Sequence, residues 1–226
     1  MSGKRKCKKQ AITAKAPMAL PKRRGEKGLL VVISGPSGAG KGTVCGHVKK
    51  HLPELKVSVS ETTRAPREGE IDGVSYTFVS KAVFEDRIGQ AHYLEYAQVY
   101  ENYYGTPKES VEKLRNQGYD VILEIDTQGA ANVRNNCDDG IFIFILPPSV
   151  DELKRRLSGR GTETEEQMTL RLSSAVDEMR KAPEYDYIVI NDESLEAARE
   201  VEAIMAAEHA RSKRLAPIVE EIIGGK

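Results

Sequence analysis

Residues 35–43, with the sequence GPSGAGKGT, combine four glycines with one lysine and form the segment best suited to bind phosphate. Glycine backbones can curl so that successive N–H groups point at an anion, and the lysine adds a positive charge for the β and γ phosphates. An apolar run at 29–33 precedes the segment and a helical pattern at 43–52 follows it, as a phosphate loop requires. The segment predicts a nucleoside triphosphate site, with a fortuitous glycine turn as the alternative. The candidate residues are Gly35, Pro36, Ser37, Gly38, Ala39, Gly40, Lys41, Gly42 and Thr43.

The residue after Lys41 is Gly42, where phosphate loops usually carry a serine or threonine whose hydroxyl contacts magnesium. Thr43 follows one position later. The missing hydroxyl argues against a switch GTPase or a motor ATPase. It is compatible with a small nucleotide kinase, in which phosphate oxygens and water hold the magnesium ion. We therefore predict Mg²⁺ as a cofactor without direct protein ligands.

A second group of polar residues lies in a loop rich in Thr, Arg, Pro and Gly, which we predict to be irregular over 61–73. Arg64 and Arg67 flank a proline, and Tyr76 follows. Arginine offers a planar fork of donors for a phosphate dianion, and proline stiffens the loop that carries it. The alternative is that both arginines only form ion pairs with Glu68 and Glu70.

Three carboxylates complete the candidate chemistry. Glu95 precedes a tyrosine-rich stretch that ends at Thr106, and Glu124 and Asp126 end an apolar run. If residues 121–126 form one buried strand, alternation puts Glu124 and Asp126 on the same face, which is costly unless they meet a cation or hydrogen-bond donors. Ligands bind at such strand ends in parallel sheets.

The elements that would position these residues alternate along the chain. Apolar runs at 29–33, 121–126, 141–146 and 188–190 predict buried strands, and helical patterns lie between them. This alternation predicts an α/β fold of the P-loop NTPase type, with a parallel sheet flanked by helices on both faces. Residues 61–104 interrupt the alternation and predict an inserted subdomain. A helix starting at Pro107 and a closing helix over 195–214 are also expected.

Charge is uneven along the 226 residues. Ten of the 34 basic residues and one of the 34 acidic residues lie in 1–27, so residues 28–226 carry 24 basic and 33 acidic residues, a net charge near −9. We expect the basic extension to be disordered; nucleic-acid contact or targeting are alternatives, and Met18 is a possible second start. The three cysteines lack metal or disulfide spacing, which indicates reduced thiols in the cytoplasm. No apolar run is long enough to span a membrane.

These motifs resemble those of guanylate kinases, enzymes that phosphorylate GMP with ATP. The resemblance covers roughly residues 29–210 and rests on several motifs in the family's order: residues 35–43, 60–76, Glu95 with 102–106, 124–129 and 156–166. It implies a GMP-binding insert, a lid, Mg²⁺ as cofactor and a role in purine metabolism. It also implies in-line phosphoryl transfer to GMP, and we expect dGMP to be used as well.

The resemblance also implies residue roles. It implies a GMP phosphate site formed by Arg64, Arg67, Tyr76 and Tyr104. It implies a guanine site formed by Ser60, Glu95, Thr106 and Asp126, with Glu124 standing where the family carries an acid, often Asp. Carboxylates accept from guanine N1–H and N2–H, whereas adenine presents an acceptor at N1, so selectivity over AMP could reach ~10⁴.

For the transfer step, the resemblance implies three lid arginines, Arg156, Arg160 and Arg171, which act with Lys41 on the transferring phosphoryl group. Asn191 matches the region that contacts adenine of ATP. No general base is needed because the GMP oxygen is already anionic, so positioning and charge neutralisation carry the reaction. The alternative for the arginines is exposed pairing with nearby glutamates.

We therefore expect a basic extension at 1–27, a kinase domain at 28–213 and a C-terminal tail at 214–226. The domain would comprise a core (28–60 and 107–213), the insert (about 61–104) and the lid (about 156–171). We expect a cytoplasmic monomer or weak homodimer. Two alternatives remain: a scaffold module that binds phosphopeptides, and a kinase for another nucleoside monophosphate or a phosphorylated sugar.

Overall fold

A computed structural model of the chain describes residues 27–99, 101–158 and 165–224. The predicted extension, apart from residue 27, and Arg160 lie outside this part of the chain. The elements in chain order are β1 (Leu30–Ser34), α1 (Lys41–His51), β2 (Lys56–Val57), β3 (Glu61–Thr62), β4 (Thr77–Phe78), α2 (Lys81–Gly89), β5 (Tyr93–Val99), β6 (Asn102–Pro107), α3 (Lys108–Asn116), β7 (Val121–Glu124), α4 (Thr127–Asn136), β8 (Gly140–Leu146), α5 (Val150–Ser158), α6 (Glu165–Met179), a 3₁₀ turn (Ala182–Glu184), β9 (Tyr187–Ile190), α7 (Ser194–His209) and α8 (Ser212–Gly224).

Five strands form a parallel sheet in the order β2-β7-β1-β8-β9. The first strand, β1, lies at its centre, where Leu30 pairs with Val121 on one side and with Gly140 on the other. All five residues of β1 are buried, as expected for a strand covered on both faces. The predicted α/β class with a parallel central sheet is confirmed.

Successive residues of β1 point to opposite faces of this sheet, and each face has its own core. Val31 and Ile33 pack with residues of α1 and α7 on one face. Leu30 and Val32 pack with residues of α3 and α4 on the other, where Leu94 of β5 joins them. Helices therefore cover both faces, as the sequence predicts, and β5 ties the second sheet to the core.

The second sheet has the order β4-β3-β6-β5, with β3 antiparallel to β6 and β6 antiparallel to β5. Helix α2 packs against it through Phe84, whose ring stacks on Tyr93 and Tyr103 with centroids 4.3 and 5.2 Å apart. This sheet occupies the segment that the sequence marks as an insert. The prediction of an irregular loop over 61–73 is wrong at its start, because residues Glu61–Thr62 form strand β3.

Three further elements differ from their sequence predictions. Pro107 ends β6 and caps α3 instead of starting the helix, since its extended backbone still pairs with Tyr93. The single closing helix expected from the sequence is two helices, α7 and α8, with a break at Ala210. The break follows His209, whose Nε2 hydrogen-bonds with Asp120 Oδ2 (2.8 Å). Residues 214–224, predicted as a tail, are helical.

The last strand, β9, was expected to be buried, and that expectation is wrong. It lies at the edge of the sheet, and only Val189 is buried, whereas Ile188 and Ile190 are 46% and 57% exposed. An edge strand lacks a neighbour on one side, so its apolar sequence does not guarantee burial. None of the described helices is long and apolar enough to cross a membrane.

Candidate functional site

The glycine segment joins β1 to α1 at the carboxyl edge of the parallel sheet. Gly35, Gly38 and Gly40 have φ angles of 144°, 88° and 88°, in the region that favours glycine. A Cβ at Gly35 would lie 2.3 Å from the carbonyl oxygen of Ile145, and one at Gly40 would lie 2.4 Å from Nδ2 of Asn191. At Gly35 the loop therefore packs so tightly on the sheet that a side chain would meet backbone, whereas a side chain at Gly40 would have to push the Asn191 amide aside.

Lys41 turns its ammonium group back into this loop. Its Nζ donates to the carbonyl oxygens of Gly35 (2.6 Å) and Pro36 (3.2 Å). Burial lowers the Lys41 pKa, and the negative charges of Glu124, Glu178 and Asp126 oppose that shift. The lysine is thus a partly desolvated cation beside neutral carbonyl groups, poised for an anionic ligand.

Glu124, the last residue of β7, lies beside α1. Its Oε1 lies 3.4 Å from the position that a Cβ at Gly42 would take, and its carboxylate also hydrogen-bonds with the thiol of Cys45. Burial raises the Glu124 pKa, while Lys41 and the Cys45 thiol lower it. This predicted GMP-binding residue is therefore in contact with the phosphate-loop side of the site.

Asp126 does not lie on the strand, so the expectation that strand alternation places it with Glu124 is wrong. Strand β7 ends at Glu124, and Asp126 is the N-cap of α4, where its Oδ1 accepts from the backbone N–H of Gly129 (2.7 Å). A short polar side chain at a helix start satisfies a donor that the helix leaves free. The cap turns Asp126 toward Glu95: both carboxylates lie within 3.3 Å of the Cβ position of Gly129.

Glu95 and Thr106 face each other on β5 and β6. The Thr106 hydroxyl donates to Glu95 Oε1 (2.6 Å), and both side chains are buried. Burial raises the Glu95 pKa to about 7, Asp126 adds to the rise, and the Thr106 bonds oppose it. Ser60, the residue directly before β3, is half-buried. Its backbone carbonyl accepts a hydrogen bond from the N–H of Thr77 (2.9 Å).

Arg64 is held by two acceptors of one carboxylate. Its two terminal nitrogens donate to Glu70 Oε1 and Oε2, both at 2.8 Å, and the guanidinium lies 5.4 Å from the Tyr76 ring centre. Tyr104 also hydrogen-bonds with Arg64, and its ring contacts Tyr76 edge-on at 5.9 Å. The Arg64 hydrogen bonds hold the Glu70 pKa at about 2. The ion-pair alternative raised from the sequence thus describes Arg64 in this structure.

Arg67 contributes differently from Arg64. Its backbone N–H donates to Glu70 Oε2 (2.7 Å), and the residue is exposed. The structure therefore brings Arg64, Tyr76 and Tyr104 together and leaves the Arg67 side chain at the surface of the same loop.

Two of the three predicted lid arginines contact the phosphate loop. Arg156 donates to the carbonyl oxygens of Asn191 (3.0 Å) and Ala39 (3.4 Å), and Arg171 Nη2 lies 3.4 Å from Ser37 Oγ. Asn191 donates from Nδ2 to Ala39 O (2.6 Å), and its buried Oδ1 has no partner among the described residues. The helices α5 and α6 thus approach the candidate phosphate loop.

Sequence reasoning missed Glu178. Its carboxylate accepts from the backbone N–H of Ser37 and lies near Lys41; burial raises its pKa, and Lys41 lowers it. Glu178 follows Arg171 by seven residues, two helical turns along the same face of α6. The seven-residue spacing could have indicated that Glu178 lies beside the same loop as Arg171, because both side chains contact Ser37. Lys181, just beyond α6, places its Nζ 3.4 Å from Thr127 Oγ1.

The comparisons with known proteins agree with this geometry. The family model described as guanylate kinase matches residues 27–208. A guanylate kinase of Clostridioides difficile (strain 630) is 48% identical over 196 residues, which cover 87% of this chain and 96% of that protein. One of Clostridium tetani (strain Massachusetts / E88) is 54% identical over 190 residues, covering 84% and 91%. The crystal structure of guanylate kinase from Anaplasma phagocytophilum matches with a TM-score of 0.71 and 30% identity, covering 89% of this chain and 96% of that one.

Proposed function

The chain belongs to the guanylate kinase family, and from that premise we propose how its residues divide the phosphorylation of GMP by ATP. The protein is an ATP-dependent kinase whose substrates are ATP and GMP. Two regions of the site have to meet: the phosphate loop for the donor and the second sheet for the acceptor.

The donor half is the loop of residues 35–43 with Lys41 and Asn191. Backbone N–H groups of the glycine segment and of the start of α1 would bind the β and γ phosphates. Lys41 would exchange two neutral carbonyl partners for phosphate oxygens. The unpartnered Oδ1 of Asn191 suits the donor amine of adenine, because a buried acceptor gains from a donor.

The acceptor half uses two groups of side chains. The phosphate of GMP is assigned to Arg64, Arg67, Tyr76 and Tyr104, because Arg64 already holds a planar anion, Glu70, in a two-point contact. Guanine is assigned to Ser60, Glu95, Thr106 and Asp126. The carboxylates of Glu95 and Asp126 accept from guanine N1–H and N2–H, and AMP would leave them facing a lone pair.

Phosphoryl transfer then depends on charge neutralisation along the line between the two substrates. Lys41, Arg156 and Arg171 stand at the donor loop, and Arg160 would join them from the lid. Closing the lid would exclude water, so that the γ-phosphoryl group passes to GMP and not to water. A GMP phosphate oxygen attacks directly, so no residue has to remove a proton.

Mg²⁺ is the cofactor that this site would take with ATP. The described residues contain no cluster of three ligands, and Mg²⁺ on a nucleotide needs only one or two carboxylates beside phosphate oxygens and water. The Glu124 carboxylate beside Gly42 fits that requirement. When bound, the ion would neutralise charge that develops between the β and γ phosphates.

Three finer properties belong to the same proposal. We expect dGMP to serve as an acceptor, since no described side chain marks a reader of the ribose 2′-hydroxyl. A cytoplasmic location fits the free thiols Cys45 and Cys137. The protein would act as a monomer or weak homodimer, which light scattering at several concentrations would test.

One observation carries the proposal: Asp126 connects the two halves. Its charge acts on Lys41 in the phosphate loop and on Glu95 in the second sheet. The test is ADP production from ATP and Mg²⁺ with GMP, dGMP, AMP, UMP or no acceptor. Turnover with GMP and dGMP at rates far above AMP is expected. Equal turnover with AMP would favour a broader monophosphate kinase, and turnover at the no-acceptor level would favour a binding module.

A further inference from the structure

Glu61 is a buried carboxylate that has no part in the proposed phosphoryl transfer. It is the first residue of β3 and is only 6% exposed. The Tyr93 hydroxyl donates to its Oε2 (2.7 Å), and Arg87 Nη1 lies 2.7 Å from its Oε1. Burying a carboxylate costs free energy unless donors and a cation compensate it. Glu61 therefore depends on these two partners, and it holds both of them in place.

The two partners come from different elements of the insert. Arg87 lies in the last turn of α2, and Tyr93 is the first residue of β5. The strand order is β4-β3-β6-β5, so β6 lies between β3 and β5. The carboxylate of Glu61 thus joins one helix to two strands that are not neighbours in the sheet.

Gly105 of β6 leaves the space that the contact between Glu61 and Tyr93 needs. It is the residue opposite Glu61 in the pairing of β3 with β6. A Cβ at Gly105 would lie 2.8 Å from Cδ1 of Tyr93 and 2.9 Å from Cζ of Phe84, closer than two carbon atoms pack. The Tyr93 ring therefore lies directly on the backbone of β6, and its hydroxyl reaches across that strand to the carboxylate on β3.

The strands joined in this way carry three of the residues assigned to guanine. These are Ser60 directly before β3, Glu95 in β5 and Thr106 in β6. Their spacing depends on how firmly the strands are held together, and an error of ~1 Å is enough to weaken such a site. The pairing of β5 with β6 shifts register between Tyr93 and Glu95, and such irregularities redirect nearby side chains. A contact at Tyr93 therefore bears directly on the position of Glu95.

We propose that Glu61 is a positioning residue for guanine recognition. Through Tyr93 and Arg87 its carboxylate fixes the distance between β3 and β5, and with it the spacing of the guanine acceptors. Apolar side chains of similar volume would pack the strands as well as a buried ion pair does. They would not direct them, however, because only hydrogen bonds have a preferred distance and angle. The inference rests on the proposed assignment of guanine to the second sheet.

The test is steady-state kinetics at a temperature at which circular dichroism shows every variant to be folded. Glu61→Leu removes the carboxylate and keeps a side chain of similar volume, so the fold should persist. The KM for GMP should rise ~10-fold because the guanine acceptors lose their alignment. Both kcat and the KM for ATP should stay within about twofold, since the phosphate loop is unchanged. The kcat/KM for AMP should change by less than about twofold, because adenine gains little from these acceptors.

The matched control is Glu85→Leu. Glu85 is an exposed glutamate of α2 that lies 3.9 Å from Lys81 at the surface. Exposed pairs of this kind contribute little, so the KM for GMP should change by less than about twofold.

A second variant removes only one hydrogen bond of the carboxylate. Tyr93→Phe keeps the ring on Gly105 and Phe84 and should raise the KM for GMP about threefold. In the double variant with Glu61→Leu, Tyr93→Phe should add nothing further, because both substitutions act through one contact. If Glu61→Leu does not fold, Tyr93→Phe alone decides, since it retains both the ring and the carboxylate.

Three results would overturn the inference. The first is a lower melting temperature with an unchanged KM for GMP in the folded variants, which would make the contact a stabilising one only. The second is an equal loss of kcat/KM for GMP and AMP, which would place the effect outside base recognition. The third is an additive effect of Tyr93→Phe and Glu61→Leu. Failure of the proposed function looks different, because the unmodified protein would then produce no ADP from ATP and GMP. A GMP-selective unmodified enzyme with insensitive Glu61 and Tyr93 variants would reject only the inference.

Discussion

The proposed donor and acceptor regions differ in how they hold the cations assigned to phosphate binding. In the donor loop Lys41 donates to backbone carbonyls of the loop itself. In the second sheet Arg64 forms a two-point ion pair with the carboxylate of Glu70. The donor loop is shaped by backbone packed on the central sheet, whereas the acceptor region is assembled from side chains across β5, β6 and an exposed loop.

This difference predicts how each region responds to its ligand. Neutral carbonyls release a lysine to phosphate at little cost, so the donor loop is ready for ATP without rearrangement of charge. If Arg64 binds the acceptor phosphate as proposed, that phosphate would have to displace the Glu70 carboxylate, and charge-assisted two-point contacts are the stronger kind. The following experiments test whether the two regions are as separate as their construction suggests.

The largest expected effect belongs to the donor cation. Lys41→Met removes the charge and keeps the length of the side chain, and kcat should fall by ~10³-fold or more because a group aimed at developing charge is lost. The KM for GMP should change little. Steady-state kinetics would check both, with Lys49→Met on the exposed side of α1 as the control. A large rise in the KM for GMP would contradict the separation of the two regions.

The next effect concerns guanine recognition. Glu95→Gln should lower kcat/KM for GMP by ~10²-fold, because an amide nitrogen would face the guanine donors that a carboxylate accepts. The KM for ATP should remain within about twofold. Kinetics with GMP and AMP would measure the lost discrimination, and Glu101→Gln at the exposed β5–β6 turn serves as the control. An equal loss for both acceptors would argue against a base-specific role.

A smaller effect follows from the Glu95 pKa of about 7. Guanine donors require the ionised form, so GMP affinity should rise with pH by up to ~10-fold per unit below 7 and level off above it. GMP itself gains charge near pH 6, as phosphate monoesters do. Titration calorimetry of GMP binding to the unmodified protein and to Glu95→Gln separates ionisation of Glu95 from ionisation of the GMP phosphate. The variant retains only the pH dependence of the phosphate. If GMP affinity changed with pH in the same way in both proteins, ionisation of Glu95 would not be the cause of the pH dependence.

The same group has a signed effect on stability. The folded protein retains the Glu95 proton up to about pH 7, whereas the unfolded chain releases it near the ordinary glutamate pKa of 4.5. The folded state thus binds more protons in this window, and the free energy of unfolding falls as pH rises from 4.5 to 7, by up to about 3 kcal/mol from this site. Urea unfolding of Glu95→Gln should lack this component. A variant profile identical to that of the unmodified protein would contradict the assigned shift.

The smallest effect tests the ion pair at the acceptor loop. Glu70→Gln replaces an anion that competes for Arg64 with a neutral amide, so the KM for GMP should fall about threefold. Glu68→Gln, two residues earlier in the same exposed loop, is the matched control. A higher KM for GMP in Glu70→Gln would mean that Glu70 mainly holds Arg64 in its binding position.

The sequence predicts the backbone-built region better than the side-chain-built one. Residues 35–43 and the apolar strands carry local patterns, and the confirmed α/β fold follows from them. A strand of two residues such as β3 is too short to show an alternation of apolar and polar side chains. The exposure of Ile188 and Ile190 in β9 depends on the position of that strand at the edge of the sheet. Asp126 caps α4 because β7 ends at Glu124, two residues earlier. The alternation of side chains along a strand does not show where the strand ends.

The sequence also did not predict which residues far apart in the chain lie close together in the fold. The roles proposed from the family resemblance place Gly42 and Glu124 in separate half-sites, yet a Cβ at Gly42 would lie only 3.4 Å from Glu124 Oε1. Likewise, Arg171 and Glu178 reach Ser37, more than a hundred positions earlier in the chain. Such proximity arises from packing helices and strands together, and no local pattern carries it.

The central position of β1 also determines when the phosphate loop can form during synthesis. Its two neighbours, β7 and β8, begin only at Val121 and Gly140. At a ribosomal rate of about 5–20 residues per second, the first strand waits roughly 5–20 s for its partners. During that interval its four apolar residues, Leu30 to Ile33, have no parallel sheet in which to be buried. The segment proposed to bind ATP is thus among the first parts of the domain to leave the ribosome and acquires its shape only after the neighbouring strands of β1 have been made.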